Sequence, residues 1–320
     1  MITVGLILSA GGFQGAAHHS GVLDALSETT GWDARTPDVI LGTSAGALIA
    51  VSLRSGLTSS DLAAQYTGKP LSTEGKAVID RIKTPFQSSE SGLALKNRNP
   101  SKPSLVIREL LLGGRPRPMV AAAGLLPEGE IDGSFFAKRV QEMHPEPWPE
   151  KPTWLCAVDI DSGKRVVFGR DDIKASLGDA VQASSAVPGR FTIVEIDGKR
   201  YIDGGVHSLS NADLLAPLQL DLVIVSSSTT VISSSEKKSV SLLWNSRTLR
   251  KEIEQIRSTG TEVLLLEPTA SDLANRSNTK PTKETTKEIF KRSRTSAIAR
   301  LAKPESIKSR ELLIKTNLQT

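Results

Sequence analysis

Three apolar residues, Val39-Ile40-Leu41, run into Gly42-Thr43-Ser44-Ala45-Gly46 and then into the helix-like Ala47-Leu48-Ile49-Ala50-Val51. Few local patterns restrict a backbone as much. A strand that turns within five residues into a helix needs glycines where the two backbones pass each other, and Gly42 and Gly46 supply them. The residue at the apex, Ser44, then projects its hydroxyl clear of the sheet, beside a helix N-terminus whose unpaired N–H groups favour negative charge. Apolar strand, G-x-S-x-G and apolar helix together describe a nucleophile elbow. They place a parallel sheet at the centre of the fold.

The first fifty-odd residues extend this pattern. Val4 to Leu8 reads as a strand, Ala16 to Leu26 as a helix, Asp38 to Leu41 as a strand and Ala47 to Ser55 as a helix. Strands that alternate with helices imply a parallel sheet covered on both faces. Further on, Thr153 to Asp159 and Arg165 to Phe168 read as strands joined by an Asp-Ser-Gly hairpin. Leu220 to Val225 and Glu262 to Leu266 read as parallel strands, with a helix over Leu242 to Ile256 between them. The fold class expected is α/β, a three-layer α/β/α sandwich with a mainly parallel central sheet. Within a single domain over 1–320, the Pro-, Gly- and Ser-rich residues 57–152 read as an inserted helical and loop segment, a candidate lid. They include Gly113-Gly114-Arg115-Pro116. Residues 280–320 read as a basic helical region: a solvated face or, alternatively, a membrane-facing one.

Composition narrows the function classes. With 320 residues, 38% hydrophobic and 23% charged, the chain can bury a large core. Its net charge of +5 is compatible with peripheral contact with an anionic membrane surface. The basic residues are scattered and aromatics make up 4%, which argues against nucleic-acid binding. The single cysteine, Cys156, sits in the apolar run Trp154 to Val158 and reads as a core residue. One cysteine cannot form an intramolecular disulfide, which fits a reducing, cytoplasmic setting. No apolar run reaches the length needed to span a bilayer. No metal site, no cofactor and no particular oligomeric state is indicated.

A second glycine-rich stretch, Ala10-Gly11-Gly12-Phe13-Gln14-Gly15, follows the first strand and opens the first helix. Such a loop can cradle a dinucleotide phosphate, but that use wants an acidic residue at the end of the second strand, where Leu41-Gly42 stands. It can also supply oxyanion-binding amides. Adjacent parallel strands bring both glycine loops to one edge of the sheet, which favours this second use. A serine also needs a base. The histidines are His18, His19, His144 and His207, and none lies late enough for a Ser, Asp, His chain order. Tyr201-Ile202-Asp203-Gly204-Gly205 instead places a carboxylate at the end of an apolar strand, although Asp-Gly is also an ordinary turn signal.

Taken together and in order, Gly11-Gly12-x-x-Gly15, Gly42-x-Ser44-x-Gly46 and Asp203-Gly204-Gly205 resemble the patatin-like phospholipases. The stretch Ala183-Ser184-Ser185-Ala186-Val187-Pro188, with Phe191 after it, resembles the segment before the aspartate in bacterial members. The resemblance implies a lipid or acyl-ester substrate and a Ser44–Asp203 dyad in which the carboxylate takes the serine proton. It also implies an oxyanion hole from the amides of Gly11, Gly12 and Ala45, with Gly15, Gly42, Gly46, Gly204 and Gly205 as motif supports. The chain departs from the family at Ala10, in place of the first glycine, and at Gln14, in place of Arg or Lys. Gln14 donates hydrogen bonds without positive charge, so a neutral acyl ester or lysolipid joins phospholipid as a candidate substrate. An acyltransferase using the same dyad, or a non-catalytic lipid- or phosphate-binding protein, are the alternatives.

Overall fold

The computed structural model describes residues 1–86, 99–111, 118–231, 240–274 and 282–318. The chain opens with β1 (Val4–Leu8), α1 (Gly12–Thr30), β2 (Val39–Thr43) and α2 (Ala45–Arg54). Five helices follow: α3 (Ser59–Thr67), α4 (Thr73–Arg81), α5 (Pro103–Leu111), α6 (Pro118–Leu125) and α7 (Ser134–Met143). After them come β3 (Thr153–Asp159), β4 (Arg165–Phe168), α8 (Leu177–Ser184), β5 (Val194–Ile196) and β6 (Lys199–Asp203). Two 3-10 segments, Gly204–Val206 and Ala212–Leu218, lead into β7 (Leu222–Ser226), α9 (Val240–Arg257), β8 (Glu262–Leu266), α10 (Ala270–Ala274), α11 (Lys283–Leu301) and α12 (Ile307–Thr316).

All eight strands form one sheet in the order β5-β6-β3-β2-β1-β7-β8, with β4 paired to β3. The pairings β2–β3, β1–β2, β1–β7 and β7–β8 are parallel, whereas β3–β4, β3–β6 and β5–β6 are antiparallel. The mainly parallel reading therefore describes the centre and one edge, and the other edge is antiparallel because β3, β4, β5 and β6 are linked by hairpins and a short helix.

Strand residues alternate between two cores, as a period of two requires. Val4, Leu6 and Leu8 of β1, Ile40 of β2, Leu155 of β3 and Leu222 and Ile224 of β7 face one core. It is roofed by α1, α2, α8, α11 and α12 through residues such as Leu23, Val51, Val181, Leu301 and Leu313. Ile7, Leu41, Cys156, Val223 and Val225 face the other core, closed by Leu249, Ile253 and Ile256 of α9 and by Leu214 and Leu215. Helices on both faces of the sheet give the three-layer sandwich. Cys156 is fully buried, and burial pushes its thiol up to about 12.

Element limits differ from the sequence reading at the functional edge. The first helix begins at Gly12, not Ala16, so Gly12 and Gly15 lie in its first turn, and the second begins at Ala45, immediately after Ser44. Glycine is a poor helix former, which hid the start of α1. Within 57–152 the described residues hold α3 to α7, while Gly113-Gly114-Arg115-Pro116 and residues 87–98 lie outside them. Of the 280–320 region, 280–281 and 319–320 also lie outside. Among the described residues no helix is long and apolar enough to cross a membrane.

Candidate active site

Register brings the two candidate catalytic residues together. Successive residues of β3 pair with the ends of two different strands: Cys156 with Thr43 of β2, and Ala157 with Asp203 of β6. Ser44 is the next residue after Thr43, so the elbow and the Asp203 strand end meet at one point on the sheet. The Ser44 hydroxyl acts on the Asp203 carboxyl there, lowering its pKa. Both residues are buried, at 6% and 4% exposure.

Ser44 has φ 55 and ψ −117, a left-handed conformation that costs a non-glycine residue about 1–3 kcal/mol. Its surroundings hold it there. The Ser44 N–H donates to Ser184 Oγ at 2.9 Å, and the Ser184 hydroxyl donates to the Cys156 carbonyl at 2.7 Å. Behind the turn, a Cβ on Gly46 would collide with the Leu8 carbonyl, and one on Gly42 would lie 2.6 Å from Ala47 Cα. The close approach of strand and helix therefore admits only glycine at these two positions.

Asp203 is held as firmly. Its N–H donates to the Ala186 carbonyl at 3.0 Å, and its Oδ1 accepts from the Gly205 N–H at 2.7 Å. Burial disfavours the charged form and pushes its pKa from 3.8 up to about 6, against the lowering effects of the Ser44 hydroxyl and the Gly205 amide. Ser184 and Ala186 thus brace the serine and the aspartate from one short segment, at the end of α8.

The glycine-rich stretch lies beside this pair. Gly11 caps α1, and Gly12, with φ +56, takes a backbone shape that suits glycine even though space around it is open. A Cβ on Gly15 would lie 3.5 Å from that of Ala45, so the N-termini of α1 and α2 converge. The two helix dipoles direct partial positive charge to the same place. Gly205 approaches Ala10 as well, since a Cβ there would lie 3.4 Å from that of Ala10. Ser228, after β7, fixes the loop by donating to the Ala10 carbonyl at 2.9 Å.

Two histidines are engaged elsewhere. His18 Nδ1 pairs with Ser293 Oγ of α11, and His19 bridges Ser226 Oγ and the Ser9 carbonyl. His144 follows α7 and reaches Ser55 Oγ at 3.3 Å. Among the described residues no group of three His, Cys, Asp or Glu side chains is arranged to hold a metal ion. Ser184, Ser228 and Asn211 gave no sequence signal of a role at the site. Ser184 lies inside the Ala183–Pro188 segment, and the other two sit in polar runs while their partners Ala10 and Thr43 are distant in the chain.

The patatin-like phospholipase family model matches residues 6–216, which span the glycine loop, the elbow and Asp203-Gly204-Gly205. The chain belongs to the patatin-like phospholipase family. The family is one of lipid hydrolases, and the segment that follows 216 supplies β7, α9, β8 and the C-terminal helices, which complete one edge and both faces of the sheet. Among solved structures the chain is similar to VipD from Legionella pneumophila, with 14% identity over 93% of this chain and 67% of that one, at a TM-score of 0.43. It is also similar to the type III effector protein ExoU, with 19% identity over 97% of this chain, at a TM-score of 0.38. The match spans about half of that protein, 54%.

Proposed function

We propose that this patatin-like protein is a serine lipid acyl hydrolase that cleaves acyl esters through an acyl-enzyme on Ser44, with Asp203 as general base. The observation that carries the reading is the strand register that sets Ser44 beside a buried carboxylate, whose pKa is raised to about 6. An ordinary aspartate is too weak a base for this work, and one raised toward neutrality is better matched to it. Asp203 takes the proton as Ser44 Oγ bonds to the ester carbonyl carbon. The amides of Gly11, Gly12 and Ala45 receive the resulting oxyanion, where each donor is worth about 2.7–4 kcal/mol of barrier. Collapse returns the proton to the departing alcohol. Water, deprotonated by the same carboxylate, then releases the fatty acid.

The test is a fluorophosphonate probe, followed by peptide mass spectrometry. One adduct per chain, on the peptide bearing Ser44, is the expected result. An unlabelled or non-specifically labelled chain would favour the non-catalytic binding alternative. Adding a lysolipid or simple alcohol during ester turnover separates hydrolase from acyltransferase, because only the latter yields the new ester as main product.

An acyl substrate is further supported by the aromatic residues next to the glycine loop. Phe13, in the first turn of α1, meets Phe86 at 5.1 Å between ring centroids, and Phe86 meets Phe135 and Phe136 of α7 at 5.3 and 5.6 Å. Phe136 in turn meets Phe191 at 5.6 Å. The Phe86 and α7 rings come from the inserted residues. The insertion is also joined to the Phe191 segment by the Ile131 N–H donating to the Arg190 carbonyl and the Thr192 N–H donating to that of Ile131. We propose this half-buried aromatic wall as the surface against which the acyl chain lies. Phe136→Ala is expected to lower kcat/KM for p-nitrophenyl palmitate about tenfold while leaving the butyrate within about twofold, since each lost methylene contact is worth up to ~0.8 kcal/mol. Equal losses on both esters would remove the insertion from chain selection.

A further inference from the structure

The side chain of Asn211 lies under the candidate dyad, fully buried, and touches the chain neighbours of both its members. Its Nδ2 donates to the Ser208 carbonyl at 2.6 Å and to Thr43 Oγ1 at 3.1 Å, and lies 3.5 Å from the Gly204 carbonyl. Thr43 immediately precedes Ser44, and Gly204 immediately follows Asp203. The orientation of the amide is not ambiguous. Arg165 Nη1, which can only donate, lies 3.2 Å from Oδ1, so the NH2 group must face the three acceptors.

The backbone that presents this amide is itself specialised. Asn211 has φ 51, a left-handed conformation that asparagine tolerates better than most residues. Buried Glu252 of α9 grips the chain on both sides of it. Its Oε2 accepts from Ser210 Oγ at 2.8 Å and from the Ala212 N–H at 3.0 Å. The Ser208 hydroxyl accepts from the Asn211 N–H at 3.0 Å, and Arg165 forms a two-pronged pair with Asp213. Glu252, Arg165 and Asp213 thus fix Asn211, whose amide reaches the chain neighbours of both Ser44 and Asp203.

We infer that Asn211 is a positioning residue, which holds Ser44 and Asp203 in hydrogen-bonding reach by tying Thr43 to Gly204. The inference rests on the proposed Ser44–Asp203 reading and adds a third residue to it. Asn211 does not contact substrate. It acts on the separation of nucleophile and base, and a separation error of an ångström at such a pair costs about 100-fold in rate.

Two substitutions test this. Asn211→Gly keeps the left-handed backbone accessible and deletes only the amide; Thr43→Val leaves Asn211 intact and deletes its acceptor at the β2 end. For Asn211→Gly, kcat on a short-chain p-nitrophenyl ester is expected to fall between ~10- and ~100-fold with KM within about threefold. Thr43→Val is expected to fall in the same direction by less. The acid limb of the pH–rate profile should also move to higher pH in both, because moving the Ser44 hydroxyl away removes an influence that lowers the Asp203 pKa. A merely structural residue would lower the melting temperature without moving the acid limb. If Asn211→Gly does not fold, Thr43→Val decides. Wild-type kcat and an unmoved limb in the folded variants, with Ser44 and Asp203 both still required, overturn this inference alone. Hydrolysis that survives Ser44→Ala overturns it together with the reading of the site.

Discussion

Ser44→Ala is expected to lower kcat for ester hydrolysis by at least ~10^4-fold while the chain melts as a folded protein. Removing the nucleophile of a serine hydrolase costs about that much or more, the remainder being carried by the oxyanion donors and binding. The alanine leaves the proposed oxyanion amides, the Ser184 hydrogen bond to the backbone N–H and the elbow glycines in place. A loss of activity with native melting therefore belongs to the hydroxyl and not to the fold. Ser44→Gly sharpens the experiment. It should be equally inactive and yet more stable than Ser44→Ala, because a φ of 55 costs about 1–3 kcal/mol in any residue with a Cβ and little in glycine. Steady-state kinetics and thermal melts of both variants check these outcomes, and turnover within tenfold of wild type in either one would remove Ser44 from the chemistry.

Asp203→Asn is expected to do two opposite things. Activity should fall ~10^3- to ~10^4-fold, since the amide can still accept a hydrogen bond from Ser44 and keeps the geometry but cannot take the proton. Stability at neutral pH should rise. The carboxyl has a pKa near 3.8 in an unfolded chain and about 6 when buried, so between these values the folded chain keeps a proton that the unfolded chain has released. Wild-type stability therefore falls as pH rises through this window and stays lower above it, by an amount on the order of 3 kcal/mol. The asparagine variant lacks that loss. It should melt several degrees above wild type near pH ~8 and within a degree or two of it near pH ~4. The same ionisation is expected to set an acid limb near pH 6 in kcat/KM of the wild type, with activity lost as Asp203 protonates. Melting curves at the two pH values and a pH–rate profile supply the check. A variant that melts below wild type at neutral pH would mean that Asp203 stabilises the fold in its charged form.

Much of this arrangement was legible in the residues. Val4–Leu8 and Glu262–Leu266 read as strands because buried parallel strands are continuous apolar runs, and the elbow read as a turn because only glycine fits beside Leu8 and Ala47. The absence of a late histidine agreed with the carboxylate partner that the resemblance implies, a role that Asp203→Asn puts to the test. Other features had no local trace. The start of α1 at Gly12 is set by the sheet and the neighbouring helices against glycine's weak propensity. The antiparallel edge depends on how β6 returns to β3, a pairing that strand periodicity cannot encode. Ser184 and Asn211 act across 140 and 168 residues of chain, so their roles appear only when the backbone is folded.

The adjacency of Cys156 and Ala157 on β3 has a consequence for how such proteins can be altered. Because these two residues hold the partners of Thr43 and Asp203, the spacing between Ser44 and Asp203 is measured along one strand by a single peptide step. It does not depend on the length of any connection. The hundred or so residues between α2 and β3 do not set that spacing, although Leu57, Leu62, Val78, Val140 and Met143 among them pack into the core beside the sheet. A one-residue slip of β3 would separate the pair and turn its apolar side chains to the wrong face at once. The scaffold therefore fixes the Ser44–Asp203 spacing through the register of β3 with β2 and β6.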